Sequence, residues 1–297
     1  MSLETVVQGL CDLHIHAGPS ISKRAVDSWE VYEDAIKEGF RGLVIKDHYF
    51  PTMMSSQIVQ KHLGEDKLKI FGEIILNNAQ GGINLKAVDA ACGMGVKIVC
   101  MPTVSAKHHL KQYEGRTFVG GGKESVPEEP IYYLDENGKL KPEVVALIDY
   151  LSKKPEVILA TGHGSPEEID ALVEEAVAKG VKRILVNHPF CLIEASLEQM
   201  IKWGKMGAMI ELNACDIDPV STFADGDLNL VGEILKNIPA EQIVIDSDYG
   251  QNGNIKPVEG LIHFTKFLEE KYNVSEEDIH KMGVVNPGWL LGLNEKQ

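Results

Sequence analysis

Two histidines one residue apart, His14 and His16 in LCDLHIHA, end an apolar run near the start of the chain. Further imidazoles and a carboxylate end other apolar runs: His48 in RGLVIKDH, His163 in EVILATGH, His188 in KRILVNHP and Asp248 in QIVIDSDY. Neutral imidazoles and carboxylates are the donors expected around zinc and other borderline divalent ions. Such an ion lowers the pKa of a water and polarises a carbonyl or phosphoryl oxygen, which provides a nucleophile at neutral pH. Any one of these histidines taken alone reads more readily as a hydrogen-bonded or half-exposed residue. Their recurrence at the ends of separate runs is what points to a shared site.

The apolar runs themselves imply the scaffold. Eight β-rich segments, at 10–17, 41–48, 69–77, 96–103, 156–163, 182–189, 208–215 and 242–249, alternate with stretches of helical spacing. SPEEIDALVEEAVAKG is one such stretch, with a capping Ser165, a following Pro166 and early acids, closed by Gly180. The pattern predicts an α/β protein, a (β/α)8 TIM barrel of parallel strands spanning 1–297 as one domain, with its site on the loops after the strands. An open doubly wound sheet is the structural alternative. Alternate residues of a barrel strand share a direction. His14 and His16, with Asp12 behind them, should therefore face one way, as should Lys46 with His48 and Asp246 with Asp248.

The fourth and fifth strands are separated by a long insertion, 103–140. IYYLDENGKL within it reads as a hairpin around Asn137 and Gly138, and the glycine triplet 120–122 suggests mobility. At the mouth of a barrel this insertion would be a lid or substrate wall, or else an assembly surface. Its histidines, His108 and His109, could reach substrate but read more readily as exposed loop residues, and His62, His263 and His280 as solvated positions on helices.

The formal net charge of -15 argues against nucleic acid and against anionic membranes as partners. The expected partner is a small-molecule substrate, with a homo-oligomer possible. With no long apolar run and no signal-like segment at 1–7, the sequence reads as cytoplasmic. The five scattered cysteines read as buried thiols, and the apolar tail 286–293 as packing on the barrel.

The set DLHIHAGPS, His163, His188, IVIDSDYG and the ending VVNPGWLLGL resembles the amidohydrolase superfamily of metal-dependent TIM-barrel hydrolases, over nearly the whole chain. The resemblance implies metal ligands at His14, His16, His163, His188 and Asp248. Asp248 would also relay a proton from the attacking water to the leaving group, and Asp246, one layer deeper, would orient a ligand. The chain departs from binuclear members of that superfamily in KIVCMPT, which offers no bridging lysine or glutamate. Lys46 instead ends the second strand, as a substrate cation or a modified ligand. GLVIKDHYFP followed by FGEII is in turn similar to steps of the polymerase and histidinol phosphatase family, which would give His48 and Glu73 to a second metal. One or two divalent ions are implied, zinc first, with manganese, iron or nickel also compatible.

These readings lead to a metal-dependent hydrolase of an amide, lactone or ester bond in a small polar substrate, with Asp248 as the catalytic residue. Lys46, His48 and Asn213 are then candidates for substrate contact or a second metal. The alternatives are phosphoester hydrolysis, drawing on Lys46, Lys107 and Arg116 as cations, non-oxidative decarboxylation of a small carboxylic acid, and a barrel that binds without chemistry.

Overall fold

The computed structural model describes residues 7–64, 68–115, 118 and 126–294. Eight parallel strands follow one another round a nearly closed barrel in chain order. They are β1 Cys11–His16, β2 Gly42–Lys46, β3 Lys69–Ile75, β4 Ile98–Cys100, β5 Ile158–Ala160, β6 Ile184–Val186, β7 Met209–Asn213 and β8 Ile243–Asp246. Each lies within a segment expected from the sequence. The β1–β8 seam closes just beyond the end of β8, where Ile15 of β1 bridges to Tyr249 and the His16 amide donates to the Tyr249 carbonyl at 2.9 Å.

The helices form where the local signals place them. Pro166–Ala178 begins with a reciprocal cap between Ser165 and Glu168, and Ser28–Lys37 with one between Asp27 and Glu30. Their apolar stripes, such as Ile169, Leu172, Val173 and Ala176, are buried against the strands' outer faces. A second apolar set fills the barrel's interior floor: Leu13, Val44, Ile98, Ile158, Leu185, Met209 and Val244. Leu290 and Leu291 of the last helix, Asn286–Leu291, join it and stopper the barrel from below. The tail thus packs on the barrel as its composition suggests.

Simple alternation fails at one place. The β1–β2 register shifts between Asp12 and Ile15, so β1 carries one residue more than its partner there. Asp12 Oδ1 accepts the amides of His14 and Ser247 across this bulge, both at 3.1 Å. Asp12 therefore knots β1 to β8 instead of standing in line behind the histidines.

The insertion opens with the helix Lys107–Gln112. The returning chain pairs Ile131 with Ala106, and Glu128 accepts from Asn78 Nδ2 at 2.6 Å. The expected hairpin is reduced to a tight turn at Gly138, φ +74°, flanked by a single antiparallel bridge from Leu134 to Leu140. The glycine triplet lies outside the described residues.

No described helix is long and apolar enough to cross a membrane. All five cysteines are unpaired, with Cys11, Cys100 and Cys215 buried.

Candidate metal centre and active site

The strands' C-terminal ends bring His14, His16, His48, His163, His188 and Asp248 into one buried cluster. Asp248 is its hub. One of its oxygens, Oδ1, lies 2.9 Å from His16 Nε2 and 3.1 Å from His14 Nε2, and Oδ2 lies 3.8 Å from His188 Nε2. Ligand atoms from His14, His188 and Asp248 all fall within 4.8 Å of one another. The His163 ring centroid is 5.3 Å from that of His188, and the His48 centroid is 5.0 Å from that of His16. His188 and Asp248 both have left-handed backbones, φ +42° and +48°, a conformation that costs non-glycine residues energy and is concentrated at functional sites. Gly250 lets the chain turn back there, because a Cβ on it would overlap the His16 carbonyl.

Three of the nitrogens facing away from this cluster are held from outside, while His16 Nδ1 is buried without a partner. His14 Nδ1 is 3.1 Å from Glu211 Oε1, His188 Nδ1 is 2.9 Å from Asp216 Oδ2, and His48 Nδ1 is 2.9 Å from Thr103 Oγ1. A carboxylate accepting from Nδ1 leaves the Nε2 lone pair pointing inward, the arrangement that metal-ligating histidines use. Inside, His48 Nε2 and His163 Nε2 are buried with no hydrogen-bond partner. Buried polar atoms are normally satisfied, so two orphaned imidazole nitrogens beside the grouped ligand atoms of His14, His188 and Asp248 fit a cation. The donor set of imidazoles and a carboxylate is likewise the one that divalent metals take.

The charges fit as well at Asp248, His48 and His163, but not at His14, where burial and the Lys46 charge are outweighed by Asp248 and Glu211, which drive its pKa up to about 10. Burial opposes ionisation of Asp248, but the His14 and His16 imidazoles beside it hold its proton affinity well below the usual carboxylate range. Burial keeps His48 and His163 neutral, and their pKa values are pushed well below that of a free imidazole.

A polar layer separates this cluster from the apolar floor. Burial and the nearby charge of Glu211 raise the Asp246 pKa well above its usual value, while, against burial, the His14 charge holds Glu211 well below its own. Asn213 Nδ2 donates to Asp246 Oδ1 at 2.5 Å. Lys46, 2 % exposed, lies with its Nζ 2.5 Å from His14 Nε2, and its charge is offset by Glu73.

Above the cluster opens a cavity of about 720 Å3. Tyr113 and Phe118 of the insertion form part of one wall, and Leu192, Asp216, Phe223 and Asp225 line it elsewhere.

The sequence itself carries a family assignment. Residues 9–211 match the model of DUF6282, a family of unknown function. The chain belongs to that family. No curated protein matches it by sequence.

Among solved structures this DUF6282 chain is similar to A. niger ochratoxinase, 12 % identical with a TM-score of 0.57, over 96 % of this chain and 71 % of that one. It is similar also to amidohydrolase 2 from Bifidobacterium longum subsp. infantis, 10 % identical with a TM-score of 0.52, over 96 % and 99 %. A TatD-family hydrolase from Entamoeba histolytica is 12 % identical with a TM-score of 0.55, over 95 % and 98 %. At these identities the likeness establishes the barrel fold.

Several expectations change on this geometry. His109 is no exposed loop residue: it is 2 % exposed, with Nδ1 3.0 Å from His163 Nδ1. Glu73 does not join His48, since the β2–β3 register sets Glu73 level with Lys46, two residues below His48. Burial drives the Glu73 pKa up to about 7. The likeness to the polymerase and histidinol phosphatase family therefore gains no support. Lys46 and Asn213 lie beneath the cluster and do not line the cavity. Lys107 is exposed, and Arg116 lies outside the described residues.

Glu211, Asp216 and Arg24 were not anticipated. Arg24 has its side chain 3 % exposed, 3.7 Å from Asp47. Glu211 had a signal, a lone acid inside the apolar run AMIELNAC. Arg24 had none, standing in a loop without periodicity.

Proposed function

We propose that this chain is a metal-dependent hydrolase that cleaves an amide, lactone or ester bond of a small substrate held in the 720 Å3 cavity. The observation carrying this reading is the convergence of His14, His16, His188 and Asp248, with partnerless buried nitrogens on His163 and His48 beside them. The shared fold with hydrolases is consistent with it.

His14, His16, His163, His188 and Asp248 would hold one divalent ion, zinc first among those the donor set accepts. Such an ion supplies a Lewis acid that sharpens both water and the scissile carbonyl. Glu211 and Asp216 orient His14 and His188 from outside, and Asp246 with Asn213 braces Glu211 and the His14 ring from below. Asp248, ionised and at the cavity floor, takes the proton of the attacking water and returns it to the leaving group. The insertion serves as a substrate wall, through Gln112, Tyr113 and Phe118.

Among the described residues the cavity is lined by Glu194, Asp216, Asp225 and Asp248 and by no lysine or arginine. Those carboxylates suit neutral or cationic substrates, whereas phosphoesters and small carboxylates carry anionic oxygens that need cations. The test is a panel of lactones, acylated amines, aryl esters, aryl phosphates and aromatic acids, assayed with metal content measured on the same sample. Turnover of an acyl substrate that tracks metal occupancy is expected. Turnover confined to phosphates or to carbon dioxide release would overturn the proposal.

A further inference from the structure

Three of the metal-centre histidines have their outward-facing nitrogen met by a residue of the barrel's own strand ends or loops, whereas His16 Nδ1 is buried without a partner. Glu211 takes His14, Asp216 takes His188 and Thr103 takes His48. The Nδ1 of His163 is met instead by Nδ1 of His109, 3.0 Å away on the insertion helix Lys107–Gln112. A hydrogen bond between two neutral imidazoles needs one N–H and one lone pair. If His109 donated, the remaining proton of His163 would sit on Nε2, which is buried and has no acceptor. If His163 donates, its Nε2 lone pair faces the centre. The His109 ring is held in this orientation by Tyr113, stacked at 4.6 Å, and by Phe118, edge-on at 4.7 Å.

We infer that His109 is a positioning residue: it accepts from His163 Nδ1, sets the tautomer that presents Nε2 inward, and thereby links the insertion helix to occupancy of the metal centre. The inference rests on His163 being a ligand, as proposed above. Because linkage is reciprocal, an ion that selects this tautomer also stabilises the helix carrying the acceptor. The insertion that walls the cavity is thus fastened most firmly when the centre is filled.

The test compares wild type, His109→Phe, His109→Gln and His163→Ala in the full chain, reading Zn2+ affinity by competition with a chelator and amide exchange of 105–113 with and without Zn2+. His109→Phe keeps the aromatic packing and removes the acceptor; His109→Gln keeps an acceptor. Expected are a roughly 10- to 100-fold weaker Zn2+ affinity for His109→Phe, near wild-type affinity for His109→Gln, and Zn2+-induced protection of 105–113 in wild type and His109→Gln alone. Wild-type affinity in His109→Phe would overturn the inference, as would equal weakening in both His109 variants, which would make ring packing the cause. Should His109→Phe fail to fold, the wild-type exchange decides: protection that does not change with Zn2+ overturns the inference. Undiminished Zn2+ binding in His163→Ala would instead remove His163 from the ligand set, a failure of the underlying metal assignment visible separately from the His109 arms.

Discussion

The two ends of the barrel are built from the same strand faces and do opposite work. Near the floor, the interior residues are Val44, Ile98, Ile158, Leu185, Met209 and Val244, sealed by Leu290 and Leu291. A few residues further along the same strands and the turns after them, the interior positions are Lys46, His48, His163, His188, Asp246 and Asp248. Burial is equal at the two ends, so solvent exclusion does not separate them. What separates them is what burial costs. Apolar groups gain from it, at roughly 25 cal/mol per Å2, whereas the mouth buries imidazoles and carboxylates with unmet valences and holds two residues in left-handed backbone. The floor therefore stabilises the fold, and the mouth holds a set of donors that the rest of the barrel forces together.

If that division is right, substitutions at the two ends should fail in different assays. The largest effect is expected at the mouth: Asp248→Asn should lower turnover of whatever acyl substrate is found by on the order of 1000-fold while leaving the melting temperature of metal-free protein unchanged or higher. A clear loss of metal-free stability would show that Asp248 is a structural residue. Next is the floor. Leu290, fully buried in the interior cluster, should cost about 2–5 kcal/mol when changed to Ala, seen as a shifted denaturant midpoint. The Zn2+ affinity of the remaining folded protein should not move. A matching loss of affinity would mean that the ends are coupled and the comparison is too simple.

The same contrast governs how much was legible in the sequence. Strand positions, helix caps and the apolar tail followed from local patterns, because a two-residue period and a capping Ser165 need nothing distant to be read. The residue types at strand ends were legible for the same reason. Relations across the barrel were not. The β1 bulge that takes Asp12 out of line depends on β8, through the Ser247 amide. His109 looked like a loop residue because its burial comes from His163, Tyr113 and Phe118, of which His163 lies 54 positions away. Glu73 was paired with His48 by motif likeness, and only the β2–β3 register shows that it sits a layer too low.

Gly250 lies where the two roles meet, at the seam that closes the barrel under His16. Its φ of +123° and the overlap of any Cβ with the His16 carbonyl make Gly250→Ala a strained substitution, worth on the order of 1–3 kcal/mol. Unlike the previous two, this change should register in both assays: a lower melting temperature, and weaker Zn2+ binding as His16 shifts. Loss of stability with metal affinity intact would show that the seam can yield without disturbing the ligands, and would widen the separation between the ends.

The smallest expected effect belongs to Lys97, just before β4 at the floor end. Burial there, reinforced by the charge of Arg183, lowers its pKa from 10.5 to about 8. Its Nζ also donates to the Glu156 carbonyl at 3.2 Å and lies 5.0 Å from the Phe71 ring centroid. Below pH 8 the lysine is charged in both folded and unfolded chains, and the fold bears the full cost of that buried charge. Between pH 8 and 10.5 the folded protein has released the proton while the unfolded chain keeps it, so this residue makes stability rise with pH across that window. Lys97→Met should remove that rise and leave the protein more stable at pH 7, with Zn2+ affinity unaltered, as urea midpoints at a series of pH values would report. An unchanged pH profile would mean that the Lys97 ammonium is solvated in the folded protein, and that this lysine adds no buried charge to the floor.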